Sequence, residues 1–359
     1  MSDAASTPTR TGGVLAVHAH PDDETLSTGA LLATWAAAGL PATVVTCTRG
    51  ERGEVIGAPF AALEGDGEAL ARHRERELTA ATTALGATQR FLDALPLPAD
   101  LAEGADDVAF AAREATSSAT SAGDPGARGG GVRYQDSGMA WVGAGRAGAA
   151  GEVPAEALVA VPLDVAAGRL AGLLRERRPD LVVTYEPGGG YGHPDHVRAH
   201  AITMRAVELA TASVADGGAS PAGGWSPAVA WAVAPEAALR AGYAALAADP
   251  AARAVLAAAS DDRRATREAP LVLPDPAGPL PSVATDAPAD LVVDVLPVRD
   301  RLLAALRAHA TQVQAVTPLD HPDAVACYAL SNLVLAPVLP RESYVWAPGR
   351  APAAPLPLP

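Results

Sequence analysis

VLAVHAHPDDE, residues Val14 to Glu24, joins a short apolar run to a turn of imidazole, proline and carboxylate. The run Val14 to His18 follows glycine and precedes the proline-carboxylate turn, as expected of a buried parallel strand. Leu31, Leu32 and Trp35 recur at helical spacing between Glu24 and Ala38, and Gly39 supplies a stop. Ala42 to Cys47 reads as a second strand, which completes a strand-helix-strand unit. Further out, the same alternation predicts a helix over Glu68 to Leu85 and a strand over Arg90 to Leu92. A helix over Leu163 to Arg177, a strand over Leu181 to Tyr185 and a helix from Pro194 to Ala212 continue it. The fold expected is α/β, a Rossmann-like, doubly wound and mostly parallel sheet with helices on both faces.

The expected layout is a disordered tail over 1–13, a catalytic core over 14–214, a smaller C-terminal α/β part over 215–349, and a disordered tail over 350–359. Within the core, 103–131 shifts to Ala, Ser, Gly and Asp without an apolar face and reads as a flexible insertion. The C-terminal part carries strands at Val229 to Val233 and Leu291 to Val295. Its helices are read at Pro235 to Ala247 and Val298 to His309, and its loops are rich in Pro, Ala and Gly. It is expected to complete the substrate cleft.

The 359 residues are 49% hydrophobic and 19% charged, and no apolar run reaches the roughly 18 residues of a membrane helix. A soluble, cytoplasmic protein without a membrane partner follows, since the N-terminus also lacks the apolar segment of a secretory signal. A net charge of −14 repels a polyphosphate backbone in the absence of a local basic groove, so nucleic acid is not expected as a partner. Cys47 and Cys327 are too few for a disulfide framework or thiolate cluster and read as buried thiols.

Four of the eight histidines fall in two windows, His18 and His20 in HAHPDDE and His193 and His196 in YGHPDH. Each window follows an expected strand and opens an expected helix, so both reach the rim formed by the carboxyl ends of the strands. A catalytic divalent metal needs three protein ligands and one open position, a count met by His20, Asp23 and His196. Pro21 stiffens the turn, so Asp22 projects beside the metal and is free to take a proton from water. Tyr191 and His193, next to Gly188 to Gly190, can aim donors at an oxyanion, and Asp195 can orient a histidine. Amide hydrolysis fits this set. Zinc is the default metal, with ferrous iron the alternative. His200 reads as an ordinary helix residue and His321-Pro322-Asp323 as a turn. No phosphate-loop pattern follows the first strand, and no nucleophile elbow surrounds Ser27 or Ser137.

The pair HAHPDDE and HPDH resembles the signatures of the LmbE-like, or PIG-L-like, metal-dependent deacetylases. VVTCTRGERGEVIG (Val44 to Gly57), RERELTAA (Arg74 to Ala81), YQDSGM (Tyr134 to Met139), VVTYEPGGGYGHPDH (Val182 to His196) and AHATQV (Ala308 to Val313) extend the likeness to the mycothiol-pathway branch. That resemblance implies a zinc-dependent hydrolase that removes acetate from a small amino-sugar substrate, N-acetylglucosaminyl-inositol. It implies the same ligands, His20, Asp23 and His196, with Asp22 as general base and Tyr191 and His193 assisting at the carbonyl. Arg74 and Asp136 match positions that hold sugar and inositol hydroxyls, and Met139 lines the same pocket. A sister enzyme, the mycothiol S-conjugate amidase, uses the same centre; Ser27 and Gly192 favour the deacetylase. A non-catalytic sugar-binding relative is the remaining alternative.

Overall fold

The computed structural model describes residues 12–101, 132–143, 146–149, 153–212, 224–266, 270–281 and 283–357. The chain runs β1 (Val14–His18), α1 (Asp23–Ala37), β2 (Ala42–Thr46), α2 (Gly67–Leu85) and β3 (Thr88–Phe91). A hairpin of β4 (Met139–Gly143) and β5 (Arg146–Ala149) follows, then α3 (Leu163–Arg177), β6 (Leu181–Tyr185), α4 (Pro194–Thr211) and β7 (Ala228–Pro235). The last third contains α5 (Glu236–Ala248), α6 (Pro250–Thr266), β8 (Ala284–Thr285), β9 (Leu291–Asp294) and α7 (Arg299–Ala308). It closes with β10 (Gln314–His321), β11 (Ala324–Ala329), β12 (Leu335–Val338) and β13 (Arg341–Trp346).

The central sheet has the order β3-β2-β1-β6-β7-β13-β9, with β8 beside β7. It is parallel from β3 to β7, and β13 runs antiparallel to both its neighbours. Alternate side chains of each buried strand enter opposite layers, the period-2 rule of an extended chain. Val14, Ala16, Val44 and Val183 pack with Leu31 and Trp35 of α1 and Leu302 of α7. Leu15, Val17, Val45 and Val182 pack with Leu170 and Leu174 of α3 and Ile202 of α4. With helices on both faces, the doubly wound reading is borne out. Local chemistry sets the helix limits: Asp66 accepts the Ala69 N–H at 3.0 Å where α2 begins, and Gly86 ends α2 at φ 80°.

The last third shows what periodicity did not reveal. β7, β13 and β9 continue the sheet that contains β1, so the sheet runs through the 214/215 boundary. β10 to β12 form a separate three-stranded antiparallel sheet over a small core of Leu246, Leu319 and Leu335. β10 and β13 are half-exposed, and the mixed faces of QAVTPLDH and RESYVW lack the continuous apolar run of β1. Arg350, expected to begin a disordered tail, instead accepts the Val229 N–H on its carbonyl at 3.0 Å, and Leu356 packs against the core. Proline costs such a segment little, because an extended run needs few internal hydrogen bonds. The expected insertion over 103–131 lies outside the described residues, as do residues 1–11 of the expected N-terminal tail. Cys47 and Cys327 are buried free thiols. No helix among the described residues is long and apolar enough to cross a membrane.

Candidate metal centre

Strands β1 and β6 are neighbours, with Val14 beside Leu181 and Ala16 beside Val183. From β1 the chain winds outward through β2 and β3, and from β6 it winds the other way through β7, which makes their carboxyl ends the switch point of the sheet. HAHPDDE leaves β1 there and YGHPDH follows β6, so His20 and Asp195 meet across 175 positions of chain. The Tyr185 hydroxyl ties the two ends by accepting the Ala19 N–H at 2.9 Å. Both windows start helices, Asp22 preceding α1 and His193 capping α4 before Pro194.

One carboxylate oxygen links the expected ligands. Asp23 Oδ2 lies 3.4 Å from His20 Nδ1 and 3.3 Å from His196 Nε2, and it accepts the His20 backbone N–H at 2.9 Å. The other nitrogen of each ring is already engaged. His196 Nδ1 donates to the Gly189 carbonyl at 3.1 Å, leaving Nε2 with its lone pair free, buried and without a hydrogen bond. His20 Nε2 meets Asp195 Oδ2 at 3.2 Å. His20 Nδ1, Asp23 Oδ2 and His196 Nε2 are thus atoms that could meet a cation. This donor set of two imidazoles and a carboxylate suits zinc or ferrous iron.

Two buried groups bring one ligand atom from each residue within 4.8 Å of one another, His20 with His193 and His196, and His20 with Asp136 and Asp195. They fit less well. His193 Nδ1 accepts the Asp195 backbone N–H at 3.1 Å, which leaves its proton on Nε2 as a donor. Asp195 accepts the Ser137 N–H at 2.9 Å and the Ser137 hydroxyl, so it is saturated as an orienting group.

Charges agree with this division. Burial opposes a charge on His20, but Asp136, Asp195 and Asp23 outweigh it and raise its pKa well above the usual imidazole value. Burial opposes the Asp23 charge as well, yet His196 and then His20 hold that carboxyl well below its usual range. The pocket attracts positive charge, as a proton or as a metal. Burial, then the adjacent Asp23, push the Asp22 carboxyl well above its ordinary value. His193 goes the other way: burial, with the His20 and His196 rings, brings it down to about 2, so it is a neutral N–H donor. Burial keeps the Tyr191 phenol protonated, its pKa raised further by Asp23 and Asp22.

The remaining sequence candidates surround this centre. Tyr191 sets its ring 5.0 Å from that of His196 and 6.1 Å from that of His193. The Tyr134 N–H donates to Asp93 at 3.1 Å, and this anchors the stretch that brings Asp136 and Ser137 to the site. Asp136 Oδ1 lies 3.7 Å from His20 Nε2 and accepts the Gly138 N–H at 2.8 Å. Arg74 is buried, and its guanidinium donates to the carbonyls of Gly50 and Glu54, the latter at 2.9 Å. A Cβ on residue 53 would come 2.4 Å from Arg74 Nη1, which is why glycine stands there. Only Arg74 Nε is left without a partner, so this residue builds the 50–54 loop before it meets any ligand. Met139 opens β4, half-buried.

Several residues of the site had no spacing signal. Tyr185 stacks on His196 with ring centroids 4.2 Å apart. Glu51 accepts the Asp136 N–H at 3.1 Å and keeps a buried Oε2 without a partner. It lines an open hollow of about 630 Å³ together with Arg52, Glu54, Glu68, Arg133 and Gln135. Glu24 and His309 form a buried pair at 2.8 Å. His309 lies in AHATQV, 285 positions along the chain from Glu24, so no local pattern joins the two. His200, by contrast, bonds to the Tyr185 carbonyl at 2.9 Å and packs on Trp231, and His321 accepts the Asp323 N–H in a hairpin turn.

Gly189 offers a local test. Its φ is +71°, and a Cβ there would lie 2.9 Å from Val197 N and 3.0 Å from His196 Cβ. Gly189→Ala is expected to cost about 1–3 kcal/mol in denaturant unfolding, and to weaken metal binding by displacing the carbonyl that orients His196.

Comparison with known proteins bears on this geometry. Residues 15–207 match the family model described as PIG-L: GlcNAc-PI de-N-acetylase. A 1D-myo-inositol 2-acetamido-2-deoxy-alpha-D-glucopyranoside deacetylase of Kineococcus radiotolerans is 41% identical over 333 residues, covering 92% of this chain and 76% of the relative. Proteins of the same name from Rhodococcus erythropolis and Nocardia farcinica are 37% and 38% identical, over 94% and 97% of this chain and 91% and 94% of their own lengths. With more than half of its length inside the family model and relatives this similar along nearly all of it, the chain belongs to the PIG-L family.

Proposed function

We propose that this chain hydrolyses the acetamide of N-acetylglucosaminyl-inositol, releasing acetate and glucosaminyl-inositol as a step of mycothiol biosynthesis. The observation that carries the reading is the convergence of His20 Nδ1, Asp23 Oδ2 and the unpartnered His196 Nε2 at the switch point. The names of the full-length relatives supply the substrate.

His20, Asp23 and His196 would hold a divalent cation, zinc in our reading, and when bound it would supply Lewis acidity to the amide carbonyl and a water whose pKa is lowered toward about 7. Asp22 takes the proton from that water as it attacks the carbonyl carbon. Tyr191 and the neutral His193 donate to the oxygen on which negative charge develops, and both keep their protons at neutral pH for this purpose. Asp22, now protonated, delivers its proton to the departing amine, so the base is restored when acetate leaves. Asp195 holds His20 in the orientation that offers Nδ1. Asp136 and Arg74, a carboxylate acceptor and a forked donor, suit the hydroxyls of the sugar and inositol, and Met139 is assigned to the same pocket.

The test is acetate release from N-acetylglucosaminyl-inositol beside amide cleavage of a mycothiol conjugate, with the same metal-loaded protein. At least tenfold higher kcat/KM for the first substrate is expected. A reversed preference would make the chain a conjugate amidase, and tight binding of the first substrate without turnover would make it a sugar-binding relative.

A further inference from the structure

Asp22, read above as the base, has a backbone conformation that L residues rarely adopt, φ 107° and ψ −32°. No cap side-chain hydrogen bond accompanies it. Its carbonyl is fixed by the Thr25 and Leu26 N–H groups, both at 2.9 Å. The other side of the residue is the peptide plane joining Pro21 to Asp22. Rotating such a plane changes ψ of the first residue and φ of the second while their neighbours stay in place, so the orientation of this one plane decides whether φ of Asp22 is positive.

Both edges of that plane are held by side chains. Gln312 Nε2 donates to the Pro21 carbonyl at 2.7 Å, and Glu24 Oε2 accepts the Asp22 N–H at 3.0 Å. Each holder is itself seated by bonds that do not involve the turn. Glu24 Oε1 pairs with His309 at 2.8 Å and accepts the Thr25 hydroxyl at 2.5 Å. Thr311 donates its N–H and hydroxyl to Glu77 at 2.8 and 2.6 Å, and its carbonyl accepts the Ile56 N–H at 2.9 Å. Gln312 follows immediately, its N–H bonded to the His309 carbonyl at 2.9 Å. The segment after α7 is therefore a fixed frame, and Gln312 is the arm by which it grips the turn.

We propose that Gln312 is a positioning residue for Asp22: together with Glu24 it pins the Pro21–Asp22 peptide in the orientation that keeps the Asp22 carboxylate facing the reacting water. The proposal rests on the hydrolytic reading for its catalytic part and on the peptide geometry for its structural part. A side chain that only filled space at 312 would be replaceable by any residue of the same length. Gln312→Met keeps the length and removes the donor.

The experiment uses the full-length, metal-loaded chain with and without Q312M, reading kcat, KM, bound metal and a crystal structure of each. With the Pro21 carbonyl released, Asp22 relaxes to negative φ, kcat falls by about 100-fold, the scale of a 1 Å misplacement of a reacting group, and KM and metal content stay within about twofold of the parent. Asp22 remaining near its present φ in Q312M, or an unchanged kcat, overturns the proposal. Should Q312M fail to fold, Gln312→Glu, which exchanges the donor for an acceptor at equal length, is read in the same way. If the parent chain itself releases no acetate, the hydrolytic reading falls, and the φ of Asp22 in the paired crystal structures still decides whether Gln312 holds the turn.

Discussion

Asp22→Asn is expected to retain bound metal and to lose about 10²–10⁴ in kcat, the contribution of a positioned general base. Asparagine matches aspartate in shape and tolerates positive φ better than most residues, so the turn at 107° survives the exchange. What disappears is the carboxylate next to the expected ligand Asp23 that none of the site's histidines holds. Asp23 faces both histidines, Glu24 pairs with His309, and Asp195 is saturated by Ser137 and His20. Burial and the Asp23 charge raise the Asp22 pKa, which makes its ionised form a stronger base. The sign for rate follows: as pH falls, Asp22 takes up a proton and turnover drops, and the residual rate of D22N lacks that acid limb. Metal content by elemental analysis, with kcat against pH for both proteins, checks this. A D22N rate near that of the parent would remove Asp22 from the mechanism.

His196→Ala is expected to lose both metal and turnover. Its Nε2 is buried without a hydrogen bond, so the cost of burying that lone pair is offset only when a cation takes it. Losing the Lewis acid costs several kcal/mol, about 10³-fold or more in rate. Chelation of the parent chain should reproduce the loss, and zinc should restore activity to the parent but not to H196A. Asp195→Asn separates holding from ligating: it disturbs the bond to His20 Nε2 while leaving every ligand atom in place. Metal affinity should therefore fall by about 10–100-fold, with activity recovered at higher zinc. If H196A kept stoichiometric metal, His193 or Asp136 would have to replace His196 among the ligands.

The sequence by itself determined the parallel half of the fold and the residue types at the centre. Val14–His18, Leu181–Tyr185 and the amphipathic runs of α1 and α3 are local signals, because a strand buried on both faces or a helix buried on one stripe must repeat its apolar residues at its own period. Ligand types were legible for the same reason: HAHPDDE and YGHPDH each concentrate imidazole and carboxylate at a strand-to-helix turn. Tertiary structure alone decided that β1 and β6 are adjacent, and hence that His20 and His196 share one carboxylate oxygen, since strand order depends on long-range packing. It also brought β13 between β7 and β9, turned Arg74 onto the carbonyls of Gly50 and Glu54, and set Gln312 against Pro21 across 291 positions of chain. Contacts of that kind leave no period in the sequence, because one hydrogen bond between distant segments constrains only the two residues that make it.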